Sequence, residues 1–297
     1  MNQIYCLNYW MQIVAAILLC MVLGYFWIWL VQHLFLKKRK TFSFSLLATS
    51  IFLVGSLYVF SYIVGYFLPN FDQAIFSLPW FGYFLLYCAL IFLFLIFVNA
   101  NYKSKHMWFL FVVWMVLFAI VGFFGFKMGI QAVLVYYFVS AYAEEFLKIG
   151  ASENATNKTD FYSSDILSFS LLLALGFSIV ENVFYVGQQV FSLETTSLFS
   201  LAFGRGIFSS LIHLVSTGLV ALLLYKLYQR VTLQQISPIK KIIRVIFCLL
   251  MGVALHLLYN YLLNFSQFWV YLVVVIGGYF LLTYILFLSD SLYRVKE

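Results

Sequence analysis

Five ionisable side chains interrupt apolar runs in the second half of this chain: Glu144, Glu145, Glu181, His213 and His256. Asn182, Arg205 and Asn260 accompany them. Carboxylates and neutral imidazoles are the groups that accept protons, ligate metal ions and orient water. A charge at the bilayer centre costs about 2.5–3.5 kcal/mol on insertion scales, so such residues usually face the protein interior and serve function. Glu144 and Glu145 lie in Ala143-Glu144-Glu145-Phe146-Leu147-Lys148. Adjacent helix positions point about 100° apart, so the two acids cannot serve one spot equally. Glu144 precedes Lys148 by four residues, the favourable order for an ion pair. Lys148 can then hold one carboxylate while its neighbour faces a cavity as a general acid or base. The plainer alternative is a helix-end salt bridge at the inner membrane face.

His256 and Asn260 are four apart and share one helix face. Such a pair can ligate, orient or donate to a developing oxyanion, or it can be interhelical hydrogen-bond glue. His213 follows Arg205 by eight residues, two turns along on a similar face. A single membrane histidine is also compatible with a packed polar residue. Glu181 and Tyr185 are one turn apart and within hydrogen-bonding reach, either in the site or as a helix-locking contact. There is no HExxH helix. No Asp interrupts an apolar segment, which removes an intramembrane aspartyl dyad. Arg-rich voltage-sensor spacing and Gly-rich filter loops are absent as well.

These residues need helices and a solvent to stand in. Of 297 residues, 65% are hydrophobic and 9% charged, against about a quarter charged in a soluble domain. No water-soluble fold could hide that apolar surface, so lipid is the expected solvent. About nine apolar segments can be marked. They run Trp10–Leu36, Ser43–Leu68, Ile75–Ala100, Met107–Phe126, Ile130–Ile149, Ile166–Val186, Leu198–Leu224, Val245–Leu263 and Trp269–Leu288. In lipid each must satisfy its own backbone hydrogen bonds, so each is expected to be a helix. The fold class is all-α, a polytopic transmembrane bundle.

Placing the amino terminus outside and the carboxyl terminus in the cytoplasm puts every Lys and Arg except Lys127 and Arg205 on the inner side. The positive-inside rule selects that orientation. The net charge of +7 then serves topology and attraction to anionic lipid, not nucleic acid. The first segment is too long for a signal-peptide core and is expected to be a retained anchor. Cys6, Cys20, Cys88 and Cys248 show no CxxC spacing and are expected to be small core residues.

The order of the motifs is more specific than any one of them. Glu144-Glu145-x-x-Lys148, Glu181-Asn182-x-x-Tyr185, Arg205 ahead of His213, and His256-x-x-x-Asn260 fall on four consecutive segments. This set resembles the PrsW family of intramembrane proteases, which belongs with the CAAX prenyl endopeptidases and the bacteriocin-immunity membrane proteins. The resemblance covers roughly residues 130–265. It implies peptide-bond hydrolysis in or beside the membrane. Glu144 or Glu145 with His213 would activate water, and His256 with Asn260 would bind the oxyanion. Lys148, Glu181, Asn182, Tyr185 and Arg205 would support them. The implied substrate is a membrane-anchored protein, anti-sigma-factor-like, met in the cytoplasmic membrane. Both glutamate-type and metal-dependent mechanisms fit the resemblance. A metal, such as Zn²⁺, would be held by Glu145, His213 and His256.

Residues 1–297 are expected to form one membrane domain. Residues 1–129 would be accessory helices, 130–265 the catalytic core, and 266–297 a final helix and cytoplasmic tail. One tension is visible. Glu144 lies about four residues from the inner end of its segment and Glu181 about fifteen from the inner end of its own, a depth difference above about 10 Å. Either the Glu144 helix is longer than Ile130–Ile149 or kinked, or Glu181 supports the site from outside. Two rival functions share these residues: a proton- or ion-coupled transporter, which calls for broken helices or inverted repeats, and a non-catalytic immunity or interaction protein.

Overall fold

The structure is a computed structural model that describes residues 3–35, 46–55, 57, 132–155, 164–189, 195–233, 238–262, 276–285 and 287. All secondary structure among them is helical. Helix α1 is Gln3–Leu30, continued by a π-helical turn, Val31–Phe35. Helix α2 is Leu46–Gly55. Then come α3, Ala132–Ala155, and α4, Ser164–Gln189. Helix α5, Thr195–Gly204, leads through a π-turn, Arg205–Ser209, into α6, Ser210–Leu233. Helix α7 is Pro238–Leu262, and α8 is Ile276–Ile285.

Among the described residues, four stretches are long and apolar enough to cross a membrane: Trp10–His33, Ile166–Gln188, Leu198–Lys226 and Ile243–Leu262. They match four of the expected segments. The segments expected at Ile75–Ala100 and Met107–Phe126 lie outside the described residues. Those at Ser43–Leu68 and Trp269–Leu288 are described in part, by α2 and α8. Helix α3 is the expected fifth segment, but it runs to Ala155 instead of ending at Ile149. Helix α4 begins at Ser164-Asp165, ahead of the expected Ile166, with an acidic start that complements the helix dipole.

Helices α4 and α6 are the interior of the bundle. Their apolar windows are 89% and 78% buried, against 33% for those of α1 and α7. Helix α6 packs between α4 and α7, α3 closes the group against α7 and α4, and α1 lies along α4 and α5. Leu171, Leu172, Leu175, Leu214, Val215, Val220, Leu224 and Val253 share one apolar core. The outward residues of α1 and α7, such as Val22, Tyr25, Ile243 and Phe247, are large, apolar and exposed. That inside-out surface suits lipid, where the cost of exposing them in water is absent.

Without a strong hydrophobic force between helices in lipid, close backbone approach is what holds them together. The α6–α7 crossing depends on Gly252. A Cβ there would stand 2.8 Å from the Ser216 carbonyl oxygen and collide with Val220. Gly252 is one turn before His256, and Ser216 is one turn after His213, so this contact sets how near the two histidines come. Gly252→Val is therefore expected to destabilise the bundle by about 1–3 kcal/mol. Thermal unfolding of the purified protein in detergent measures it, and an unchanged midpoint would refute the role given to this crossing.

Candidate active site

Helix α3 carries its polar residues in a stripe at helical spacing. Ser140 Oγ donates to Glu144 Oε1 at 3.0 Å, and Ser152 Oγ donates to the Lys148 carbonyl at 2.8 Å. Glu145 and Lys148 have fully buried side chains, and the Glu144 side chain is nearly so. The stripe faces α6 and α7.

Glu145 is saturated. Its Oε1 accepts from Lys148 Nζ at 2.7 Å, Ser216 Oγ at 2.9 Å and His256 Nδ1 at 3.1 Å. Its Oε2 accepts from Thr217 Oγ1 at 2.6 Å. A buried carboxylate without water needs this many donors. Lys148 thus pairs with Glu145, three residues away, and not with Glu144 as the four-residue spacing suggested. Both spacings face each other on a helix. Tertiary contacts decide: on the Glu145 side, Lys148 also reaches His213 Nδ1 at 2.8 Å and lies 4.7 Å above the Phe177 ring.

An ammonium group only donates, so His213 Nδ1 accepts and the ring proton sits on Nε2. Nε2 lies 2.7 Å from Glu181 Oε2. His256 is arranged in mirror fashion. Its Nδ1–H meets Glu145, and its Nε2 faces Glu144 Oε2 at 3.6 Å, too far for a hydrogen bond. The two imidazoles meet edge to face with centroids 4.8 Å apart. Among the described residues, Glu144 Oε2 is buried and has no hydrogen-bond partner. Each histidine is braced by a carboxylate on one nitrogen; the other nitrogen of His213 meets Lys148, and that of His256 faces Glu144.

Glu181 enters the site directly. Helix α3 runs past its expected end, which narrows the depth difference to about 9 Å, and the His213 side chain spans the remainder to Glu181. Arg205 Nη2 meets Glu181 Oε1 at 3.2 Å, Arg205 Nε donates to Asn182 Oδ1 at 3.0 Å, and the guanidinium stands 3.7 Å over the Tyr185 ring. Tyr185 serves as a platform for Arg205. A uniform helix would not bring Arg205 and His213 to the same carboxylate. Eight α-helical residues leave two side chains about 80° apart. A π-turn absorbs one extra residue, about 100°, and reduces this to about 20°. The Ser210 amide bonds back to the Arg205 carbonyl, five residues earlier, and makes that turn. Asn260 is half-buried one turn beyond His256.

The sequence reading did not single out Ser140, Ser216 or Thr217. Ser216 and Thr217 lie three and four residues after His213, which places them beside it on α6. That spacing was a usable signal. Ser178 and Ser210, 2.7 Å apart and joined to Asn182, are a further polar contact between α4 and α6.

A divalent cation fits this centre. One oxygen of Glu144 and one ring nitrogen each of His213 and His256 lie within 4.8 Å of one another. Carboxylate and imidazole donors suit Zn²⁺ and similar ions, and a carboxylate behind each ligating histidine is the usual support. Three carboxyl groups, Glu144, Glu145 and Glu181, stand against two cationic side chains, Lys148 and Arg205. The Glu144 oxygen without a donor leaves one ligand position open to a cation. The geometric set contains Glu144 where Glu145 was expected, because the Glu145 oxygens are already saturated by donors.

Fold and site together define an integral membrane protein with a carboxylate–imidazole centre enclosed by its helices. The chain matches the model of the PrsW family of intramembrane metalloproteases over residues 103–288, more than half its length, and belongs to that family. The match extends beyond residues 130–265 at both ends, while α1 and α2 precede it. Searches of the curated proteins and of the solved structures each found no match.

Removing one partner of a buried ion pair leaves the other charge unsolvated. Lys148→Met is expected to cost about 3–5 kcal/mol, and adding Glu145→Gln should recover much of it. A double-mutant cycle on unfolding in detergent tests this; additive effects of the two substitutions would contradict the pairing.

Proposed function

We propose that this chain is an intramembrane protease that hydrolyses a peptide bond of a membrane-anchored protein at the centre formed by Glu144, His213 and His256. The observation that carries the reading is Glu144 Oε2, a buried acceptor without a donor, set beside two imidazoles that other carboxylates hold in place. A hydrolytic site needs one open acceptor for the proton of the attacking water, and Glu144 offers it. Glu145 fixes His256 and Lys148, and Glu181 fixes His213. His256, once protonated on Nε2, would donate to the oxygen of the scissile carbonyl, with Asn260 one turn on as its companion. In the metal-dependent form of this reading, an ion such as Zn²⁺ held by Glu144, His213 and His256 would supply polarisation of that carbonyl and acidify a bound water, and Glu144 would serve as ligand in place of base.

The substrate proposed is a single-pass, anti-sigma-factor-like protein in the cytoplasmic membrane. The orientation with the amino terminus outside and the carboxyl terminus inside, and the count of about nine spans, belong to the same proposal. The transporter reading has one observation in its favour: polar contacts run unbroken from Arg205 through Glu181, His213 and Lys148 to Glu145, as a proton relay would require. Membership of a protease family weighs against it.

Purified protein incubated with a membrane-anchored reporter substrate tests the proposal. Glu144→Gln is expected to slow cleavage by about 10²–10⁴-fold while leaving the fold intact. Chelation should stop cleavage and added Zn²⁺ restore it. Unchanged cleavage after both Glu144→Ala and Glu145→Ala would remove the reading, and proton-coupled uptake in proteoliposomes would favour the transporter.

A further inference from the structure

Within the π-turn the Arg205 carbonyl accepts from the Ser210 amide. Two consecutive carbonyls of the turn also accept from side chains on two different helices. Asn182 Nδ2 of α4 donates to the Arg205 carbonyl at 3.0 Å. Trp27 Nε1 of α1 donates to the Gly206 carbonyl at 3.1 Å, in the protein interior. Trp27 itself is buried, although most large residues on the opposite side of α1 are exposed.

The α1 contact is close along its length. A Cβ at Gly206 would collide with Leu23 of α1, and a Cβ at Gly24 would collide with Ile179 of α4. Cys20 Sγ lies 3.7 Å from the Ala202 carbonyl. Glycines on both sides let α1 reach the backbone of the π-turn, where the Trp27 indole fits. Helix α1 lies before the segment that matches the protease family, yet it touches the turn that sets the active-site geometry.

We infer that Trp27 is a positioning residue for the active site. Its indole N–H holds the π-turn at Gly206, the turn aims Arg205 at Glu181, and Glu181 fixes the ring of His213. Helix α1 is thus part of the working site and not only an anchor. The effect on catalysis rests on the hydrolase reading above, whereas the effect on the π-turn does not.

The test uses the full-length protein in detergent. Trp27→Phe keeps an aromatic ring and removes the N–H, while Leu23→Ala disturbs the same helix contact and keeps the N–H. Hydrogen exchange of the amides of Arg205–Ser210 is expected to quicken on the order of tenfold in Trp27→Phe. With a fluorescence-quenched single-pass transmembrane peptide as reporter, kcat should fall on the order of tenfold with KM unchanged. Leu23→Ala should lower the thermal midpoint with kcat retained. Exchange at the unmodified rate in Trp27→Phe overturns the inference, as does an unchanged kcat or a loss equal to that of Leu23→Ala. If the unmodified chain fails to cleave the reporter, the hydrolase reading fails and the exchange result alone decides the role of Trp27.

Discussion

Glu145 is a carboxylate out of reach of water, and its neighbours are arranged around that fact. An ionised carboxyl group in a low-dielectric interior is tolerated only when its oxygens are filled by donors. Lys148, Ser216, Thr217 and His256 supply them from three helices. Helices α3, α6 and α7 are therefore tied through one side chain. The Gly252 contact works to the same end, because it lets α7 approach α6 closely enough for His256 to reach Glu145.

The adjacent acid has the opposite environment. Glu144 is held through one oxygen by Ser140, and its other oxygen has no donor. Two neighbouring residues of one type thus divide into an anchor and an open acceptor. The division follows from helix geometry, since positions about 100° apart face different neighbours. The histidines divide similarly: His213 is held on both nitrogens, by Glu181 and Lys148, while His256 is held by Glu145 and faces Glu144 with its second nitrogen. An open carboxyl oxygen beside an imidazole suits a cation, and membership of a metalloprotease family agrees with that.

The π-turn contributes in another way. It adds no reactive group, but it rotates α5 relative to α6 so that Arg205 and His213 meet at Glu181. Such a turn persists in an apolar medium because its carbonyls are engaged by Asn182 and Trp27. Helix α1 thus meets, at the π-turn, the helices that carry the carboxylate and imidazole cluster.

Much of this protein was legible in its sequence. Apolar composition dictates a helical membrane bundle, because only helices satisfy their own backbone within a segment in lipid. Ionisable residues in apolar runs are costly, so Glu144, Glu145, Glu181, His213 and His256 mark themselves as special. Their order also carried the resemblance to the family that the chain belongs to. Tertiary structure alone decided which acid Lys148 neutralises, which acid stays open, and whether Glu181 reaches the centre. Spacing along a helix restricts a side chain to a face and leaves the partner across the interface unspecified. The π-turn was illegible for the same reason: Arg205–Ser209 continues an apolar run, and donors on α1 and α4, distant in sequence, sustain it.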